Sequence, residues 1–349
     1  MGPSLLRRVL PSRRAEGRKP MHRSPFTILL VLLSAPLMVL AIGCGSSPSP
    51  IVFNSDRDGN LEIYSIGSDG EDLINLTNSP QDELSPLVSP DRQLVSYLSA
   101  STGASAVEFM PIDGSERKRI TPREGVHRSQ RWSPTSDRIA YVMERSENPL
   151  VYVATTNGEE PELLTLNAGD AVGDWSNDGD SVAFVVLSGD GQGIYIRNPD
   201  GVNEFQVTDT PDFDPVWSPD SGTIAFLSTR DGNAEIYVMD ADGNNQRRIT
   251  DSNEGEYAIS WSPDGKRILF VSERDGNAEI YVTDPDGEEQ TRLTFNNSRD
   301  DQPVWSPDGK MIVFVSYLDG DAEIFVMNAD GKDQVRLTNN EAQDTNPSW

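Results

Sequence analysis

The stretch WSPDSGTIAFLSTRDGNAEIYVMDADGNNQRRITDSNEGEYAISW, residues 217–261, holds three short apolar runs separated by turn sequences, and a further run begins just before it at Asp214. The runs cover residues 214–218, 223–228, 234–239 and 247–250. Asp231-Gly232 supplies the positive φ that a tight hairpin needs, and Asp242-Gly243 supplies it at the next turn. No window has a sustained helical period, so the pattern predicts four antiparallel β-strands.

The unit recurs along the chain, because all six tryptophans occupy one repeat position, 42 to 44 residues apart. Stepping back 44 residues from Trp132 gives Val88, in the same Ser-Pro-Asp context. A large apolar residue at such a position is expected to pack between neighbouring units. These structural anchors are Val88, Trp132, Trp175, Trp217, Trp261, Trp305 and Trp349. Four strands in about 44 residues are typical of a β-propeller blade.

The number of strands decides how the array ends. First strands are predicted at 85–89, 129–133, 172–176, 214–218, 258–262, 302–306 and 346–349. The other three strands of each unit are predicted to begin at 51, 94, 138, 181, 223, 267 and 311. We therefore predict an all-β, seven-bladed β-propeller over residues 51–349, with four-stranded antiparallel blades. The C-terminal strand would join the N-terminal blade and leave no edge unpaired. The alternative is a six-bladed ring with one stray blade.

The N-terminus has the pattern of an export signal. Residues 26–42 are uncharged and apolar, His22 and Arg23 precede them, and small residues follow. Ala41-Ile42-Gly43-Cys44 resembles a bacterial lipobox, in which the cysteine, here the only one of the chain, becomes the lipidated first residue. We expect a signal peptide over 1–44, with translation starting at Met21, and a tether over 45–50. Ordinary signal cleavage beside an incidental cysteine is the alternative.

The charge of the mature chain restricts its partners. Residues 1–44 hold seven of the 29 basic residues and one of the 56 acidic residues, so the remainder carries a net charge of −33. Such a surface repels nucleic acid and attracts cations, basic peptides or basic protein surfaces. A solvated acidic surface that maintains solubility is the simpler interpretation.

Catalytic motifs are scarce in the sequence. It has no Gly-x-Ser-x-Gly, and His127 is the only histidine after the predicted signal peptide. A single histidine without cysteine does not predict a His- or Cys-based metal site. Asp-x-Asp-Gly elements such as 284–287 are interpreted as turns, with calcium binding as the alternative. No cofactor is therefore predicted.

Four stretches resemble the TolB-type propeller repeat, a WD40-like family. They are SDRDGNLEIYSIGSDG (55–70), STRDGNAEIYVMDADG (228–243), SERDGNAEIYVTDPDG (272–287) and SYLDGDAEIFVMNADG (316–331). Each leads to a Leu-Thr or Ile-Thr pair, and the similarity covers nearly all of residues 51–349. The resemblance implies a periplasmic or surface-exposed propeller that binds partner peptides. TolB-type proteins also carry an N-terminal α/β domain, and here we expect only the tether before the first blade.

One further repeat position is predicted to bind a partner. Five residues before each anchor stand six carboxylates and one histidine, which we call the ring residues: Glu83, His127, Asp170, Asp212, Glu256, Asp300 and Asp344. In a closed propeller they would lie near one mouth of the central channel and attract cationic groups. Crowding of like charges is expected to raise some of their pKa values. The alternative is that each carboxylate bonds only to backbone groups of its own loop.

The sequence as a whole predicts a monomeric, exported lipoprotein in the periplasm or at the cell surface. We expect it to be a non-catalytic scaffold that recognises an envelope protein or basic peptide at a disc face or the acidic channel mouth. The membrane contact would be made through its N-terminal lipid. The alternatives are a carbohydrate-active or partner-dependent hydrolytic enzyme, and a cation-binding structural propeller.

Overall fold

The computed structural model describes residues 49–122, 125–144, 149–165, 171–186 and 189–349. The regular structure in these residues consists of 28 β-strands in seven four-stranded antiparallel sheets. The predictions for the signal peptide, Cys44 and most of the tether lie outside the described residues. No helix in the described part of the chain is long and apolar enough to cross a membrane.

The strands are assigned to blades 1–7 in chain order. Blade 1 contains β1 (Pro50–Ser55), β2 (Glu62–Gly67) and β3 (Ile74–Asn75); blade 2, β4 (Asp82–Val88), β5 (Leu94–Ser101), β6 (Ala104–Pro111) and β7 (Lys118–Arg119); blade 3, β8 (Val126–Trp132), β9 (Arg138–Glu144), β10 (Pro149–Thr155) and β11 (Glu162–Leu163); blade 4, β12 (Ala171–Trp175), β13 (Val182–Val186), β14 (Gly193–Arg197) and β15 (Phe205–Gln206); blade 5, β16 (Asp212–Trp217), β17 (Thr223–Ser228), β18 (Glu235–Asp240) and β19 (Arg247–Arg248); blade 6, β20 (Glu256–Trp261), β21 (Ile268–Ser272), β22 (Glu279–Thr283) and β23 (Thr291–Arg292); blade 7, β24 (Asp300–Trp305), β25 (Met311–Ser316), β26 (Glu323–Asn328) and β27 (Val335–Arg336); and β28 (Asp344–Ser348) completes blade 1.

The two middle strands of each blade are the most buried. In β21 and β22, for example, every residue is buried, because both faces of the sheet are covered by neighbouring blades. Side chains on both faces therefore enter buried surroundings, which is why the centres of these strands are rich in Val, Ile, Leu and aromatic residues. The fourth strands are only two residues long and partly exposed at the rim, which keeps the outer edges short.

Seven apolar clusters each join one blade to the next. Blade 1 meets blade 2 through Val52, Tyr97 and Met110, and five further clusters continue the series to blade 7. The seventh joins blade 7 back to blade 1, where Val315 and Ile324 pack with Phe53. The blades therefore form a closed ring.

Strand β28 completes this ring by pairing with β1. The antiparallel register aligns Val52 with Ser348 and Ser55 with Asp344. The predicted all-β, seven-bladed architecture and its closure by the C-terminal strand are confirmed.

The anchor residues lie at the blade interfaces. Trp132, Trp175 and Trp261 donate their indole N–H to Leu87, Arg131 and Val216 carbonyls of the preceding blade at 3.0, 3.2 and 3.2 Å. Trp349 packs against the cluster between blades 7 and 1, and Val88 against the cluster between blades 1 and 2. Each anchor thus adds apolar contact, and in three blades also a hydrogen bond, between sheets that share no strand pairing.

Two faces of the disc follow from the antiparallel order. The hairpin face carries the turns between second and third strands and the connections from one blade to the next. The Ser-Pro face carries the turns between first and second strands, such as 218–222. The first strands begin at the hairpin face, up to three residues earlier than predicted, and end at the Ser-Pro face.

Removal of residues 344–349 should unfold the protein or greatly lower its stability, because β1 loses its inner neighbour and Arg57 loses the buried Asp344 carboxylate. We expect the free energy of unfolding to fall by on the order of 5 kcal/mol in urea titrations followed by tryptophan fluorescence. A chain that ends at Ser348 keeps every β1–β28 pair and should lose much less. Equal urea midpoints for the shorter truncation and the longer one would contradict closure through β28.

Candidate functional site: the central channel and the buried charges around it

A β-bulge interrupts every innermost strand, and in six of the seven it begins three residues before the anchor position. Its first residue has a left-handed backbone in six blades, with φ between 48° and 55°. These residues are Ser85, Ser129, Asp214, Ala258, Gln302 and Asn346. In four blades a proline follows, as Pro86, Pro215, Pro303 or Pro347. Bulges leave backbone groups outside the regular ladder and accommodate proline, which explains why these positions differ from the strand around them.

Blade 4 has a shorter bulge, formed by Gly173 alone. A Cβ atom at this position would lie 2.3 Å from Cγ of Pro215 in blade 5. Glycine is therefore required where two bulges come close together around the axis. Sequence reasoning did not single out the bulges, although the recurring proline two residues before the tryptophan is a visible signal for them.

The bulges line a central cavity of about 490 Å³. Its wall is formed by small or neutral side chains, among them Ser85, Ser129, Ala258, Gln302 and Asn346, together with Arg131. A second cavity, of about 560 Å³, opens at the Ser-Pro face, where Trp132, Trp175, Trp217 and Trp261 and the prolines of the Ser-Pro turns form its wall. Apolar residues such as Leu98, Ile259 and Val304 also line the cavity, so the channel has a mixed polar and apolar wall with little charge and an apolar rim at one end.

Charge within the channel is concentrated at one place. Arg131 donates to the Gly173 and Gln130 carbonyls at 3.1 and 2.8 Å, and it lies close enough to Asp174 and Asp214 to affect both carboxyls. Burial raises the pKa of Asp174 to about 6, against the effect of Arg131 and two backbone amides. Burial also raises the pKa of Asp214. Arg131 is thus fixed by two backbone carbonyls and lies within electrostatic range of two carboxyls on the side of blades 3 to 5.

The ring residues do not line this cavity, as far as the chain is described. Glu83, His127, Asp212, Glu256, Asp300 and Asp344 are all at most 2% exposed, and Asp170 lies outside the described residues. Each described member belongs to the first strand itself and aligns with the end of the second strand, as Asp212 does with Ser228. Partner binding at these residues stays a prediction.

Three of the ring carboxylates bind an arginine of their own blade. Arg57, Arg230 and Arg274 stand two residues after the second strand and reach Asp344, Asp212 and Glu256 at 2.8, 2.7 and 2.7 Å. Each guanidinium also covers an aromatic ring, 4.5, 4.7 and 4.9 Å from the centroids of Tyr64, Tyr237 and Tyr281. The buried carboxylates of blades 1, 5 and 6 are therefore neutralised in place.

In blades 2 and 7 the ring carboxylate has only neutral hydrogen-bond donors among the described contacts. Glu83 accepts a hydrogen bond from Ser79, and Asp300 accepts from Ser316 and Asn296. Burial raises the pKa of Glu83, and it raises the pKa of Asp300 to about 6, with the nearby Glu279 adding to the effect. Burial also raises the pKa of Glu256 in spite of Arg274. The upward shift that was expected from crowding is thus caused mainly by loss of hydration.

His127 occupies the ring position of blade 3 in a different way. Its ring lies 5.6 Å from that of Tyr141, and its Nδ1 contacts the Ser105 carbonyl oxygen. The backbone N–H of His127 donates to the Ser105 hydroxyl at 2.7 Å. These contacts join the first strand of blade 3 to the third strand of blade 2.

The Asp-x-Asp-Gly elements form turns. In the elements at 240–243 and 284–287, Gly243 and Gly287 have φ of 85° and 79°, and Asp242 and Asp284 accept the backbone N–H groups of Asn244 and Glu288 at 3.0 and 2.8 Å. Within the described ranges no three His, Cys, Asp or Glu side chains are grouped as ligands of a metal ion.

Replacing Asp300 by Asn should change how stability depends on pH. The folded pKa of about 6 exceeds the unfolded value of 3.8, so the folded wild type binds the extra proton and loses stability as pH rises between these values. Asn does not titrate, so from pH 4 to pH 7 the difference in unfolding free energy should shift by roughly 2–3 kcal/mol in favour of D300N.

Urea titrations at pH 4 and pH 7 measure this shift, with Asp344→Asn as the matched control. That substitution removes the carboxylate that binds Arg57, so it should destabilise the protein at both pH values. A difference between D300N and wild type that stays constant with pH would contradict the raised pKa.

Comparison with known proteins agrees with this architecture. The TolB beta propeller domain family matches residues 66–210 and 173–317, more than half of the chain. A protein TolB homolog from Chlorobaculum tepidum is 31% identical over 119 residues, which is 34% of this chain but only 27% of that relative.

Solved structures are similar over more of the chain. The putative TolB from Agrobacterium tumefaciens has a TM-score of 0.55 at 25% identity and covers 67% of this chain and 88% of its own. An oligogalacturonate lyase from Vibrio parahaemolyticus has a TM-score of 0.66 at 13% identity, over 80% of this chain and 86% of its own, which shows a shared fold alone. The chain belongs to the TolB β-propeller domain family.

Proposed function

We propose that this protein is a non-catalytic recognition module of the bacterial cell envelope, which binds an extended segment of a partner protein in its central channel. It is exported as a monomer and anchored through a lipid on Cys44. The central cavity carries the proposal, because backbone bulges from several blades converge on a space large enough for a few residues of polypeptide.

The wall of the cavity suits an extended peptide. Ser129, Gln302 and Asn346 present neutral donors and acceptors, and the bulges hold backbone groups outside the ladders. Such groups can bond to the main chain of a ligand regardless of its side chains. The ring around them is closed, so the binding surface is formed before the partner arrives.

Charge would orient the segment. The surface of residues 45–349 is strongly acidic, which favours approach of a basic segment. Arg131 lines the cavity within electrostatic range of Asp174 and Asp214, so one side of the wall carries charge, whereas Gln302 and Asn346 on other blades are neutral. Family membership supports the envelope setting, since TolB proteins from Legionella pneumophila and Desulfosudis oleivorans carry the name Tol-Pal system protein.

An obstructed channel tests the proposal. Ala258→Trp should fill the cavity without new backbone strain, because alanine already adopts the left-handed conformation there. The wild type should capture a defined partner from detergent-solubilised envelope, and the variant should lose it. Val335→Trp on the exposed rim is the matched control and should retain the partner. Equal recovery with A258W, at unchanged thermal stability, would exclude the channel as the binding site.

The thermal stability of the protein should not depend on calcium, because the aspartates of the Asp-x-Asp-Gly turns at 240–243 and 284–287 already accept backbone N–H groups. We expect the thermal midpoint to stay the same within error in EDTA and in millimolar calcium, measured by circular dichroism. A midpoint raised by calcium would instead support a cation-binding role for these turns.

A further inference from the structure

Blades 5 and 6 each contain the same pocket for a guanidinium group, which we call the arginine pocket. In blade 6, Arg274 donates to Ser272 Oγ at 2.8 Å, to Gln290 Oε1 at 2.6 Å and to Glu256 Oε1 at 2.7 Å. In blade 5, Arg230 makes the equivalent bonds to Ser228, Gln246 and Asp212 at 2.8, 2.9 and 2.7 Å. A pair of aromatic rings forms the floor of each pocket.

Blade 7 keeps every wall of this pocket and lacks the arginine. The serine, glutamine and carboxylate are Ser316, Gln334 and Asp300, and Leu318 stands in the sequence position of Arg274. The floor is Phe314 and Phe325, with centroids 5.6 Å apart, against 5.5 Å for Phe270 and Tyr281 in blade 6.

The glutamine is held in the same orientation in all three blades. Gln334 Nε2 donates to the Leu293 and Gly331 carbonyls, both at 3.2 Å. Gln290 donates to the equivalent carbonyls of Ile249 and Gly287 at 3.1 and 3.3 Å. In blade 6 this orientation directs Oε1 at the arginine, so blade 7 preserves an acceptor that the isobutyl group of Leu318 is unable to satisfy.

The hydrogen bonds that Asp300 accepts do not prevent its carboxylate from accepting a further donor. Asn296 donates to Asp300 Oδ2 at 2.6 Å, but the equivalent Asn340 donates to Asp344 Oδ2 at 2.7 Å while Arg57 binds the same carboxylate. The two donors therefore bind together in blade 1. Blade 7 thus combines a buried carboxylate that has no cation among its described contacts, a feature it shares with blade 2, with the glutamine and the aromatic floor of blades 5 and 6.

We infer that the arginine pocket of blade 7 binds an arginine side chain supplied by a partner polypeptide. The planar guanidinium group of arginine can donate to three acceptors at fixed positions and stack on the aromatic floor. The compact ammonium group of lysine fits such a site less well. The acidic surface favours the approach of a cationic partner. This site lies within a blade and is separate from the channel, so it extends the proposed function and does not depend on it.

Apolar side chains around the pocket favour a polypeptide over a free amino acid. Leu318 and Phe295 are 50% and 73% exposed, and both lie on the hairpin face at the end of blade 7 where Asp300 begins β24. Tyr317 N–H donates to the Arg299 carbonyl at 3.0 Å, which joins the two loops that carry them. Residues next to the incoming arginine would cover this apolar surface.

Entry requires a local movement of side chains, because Asp300 is fully buried, and Leu318 at the arginine position is exposed enough to move. Exposed side chains change rotamer within nanoseconds, so this step does not limit binding. The arginines of blades 1, 5 and 6 have side chains 18–25% exposed, so a guanidinium in this layer lies just below the surface and is reached from solvent.

The test titrates the full chain with the peptide acetyl-Ala-Ala-Arg-Ala-Ala-amide, followed by ¹H–¹⁵N NMR. We expect chemical-shift changes at Ser316 to Gly320 and at Gln334. Peptides with citrulline or lysine in place of arginine should bind at least about tenfold more weakly, because citrulline keeps the shape without the charge and lysine lacks the fork.

Leu318→Arg is the decisive variant, since it restores the arginine of blades 5 and 6 within the chain. It should raise the thermal midpoint and abolish peptide binding in blade 7. Arg274→Leu should create a second binding pocket in blade 6, so the peptide should cause new chemical-shift changes near Gln290. If that variant unfolds, the L318R variant and the citrulline peptide are sufficient to test the inference. Absent shifts in blade 7, or equal affinity for arginine and citrulline, or unchanged binding by L318R, would each overturn the inference.

Discussion

The pairing of β28 with β1 is the constraint on which the rest of the structure depends. A single blade has two apolar faces, and it is stable only when both are covered. Six of the seven apolar interfaces join blades that follow one another in sequence, and the seventh joins blade 7 to blade 1, which the last strand of the chain completes. Once the ring is closed, every innermost strand has a fixed distance from the axis, and the bulges that line the channel are held in register.

Closure also explains why so many charges are buried. The ring residues begin the innermost strands, where neighbouring blades converge and leave little space for water. Blades 1, 5 and 6 meet this constraint with an arginine over two aromatic rings, so the carboxylate, the cation and the floor form one unit. This unit recurs because the blades are repeats of one sequence. Where all of its parts are present, the carboxylate, the arginine and the aromatic rings stabilise the fold.

The fold could be predicted from sequence because its signals repeat. Six tryptophans and Val88 give the period, and the Asp-Gly turns give the strands, so the number of blades and their closure followed from counting. The orientation of the ring residues could not be predicted from the sequence. The first strands continue past the bulge that precedes the anchor residue, so they begin earlier than predicted. Asp212 was placed ahead of the strand and is in fact its first residue, aligned with Ser228 and fully buried. The recurring proline two residues before the anchor is a sequence signal for this bulge. That the bulges form the channel wall is visible only in the folded structure.

Function in such a ring has to arise where the repeat is broken, since identical blades would offer seven equal and equally weak surfaces. Three of the departures of this chain from its repeat concern the proposed sites: Gly173 shortens one bulge, Arg131 places a charge on one side of the channel, and Leu318 replaces an arginine. The first two make the channel asymmetric. The third differs in kind, because the acceptors that bind arginine in blades 5 and 6 are all retained around it. Random drift would be expected to erode such acceptors once their cation was lost, since a buried carboxylate without a partner destabilises the fold. Their retention in blade 7 is most simply explained by a cation that comes from another molecule.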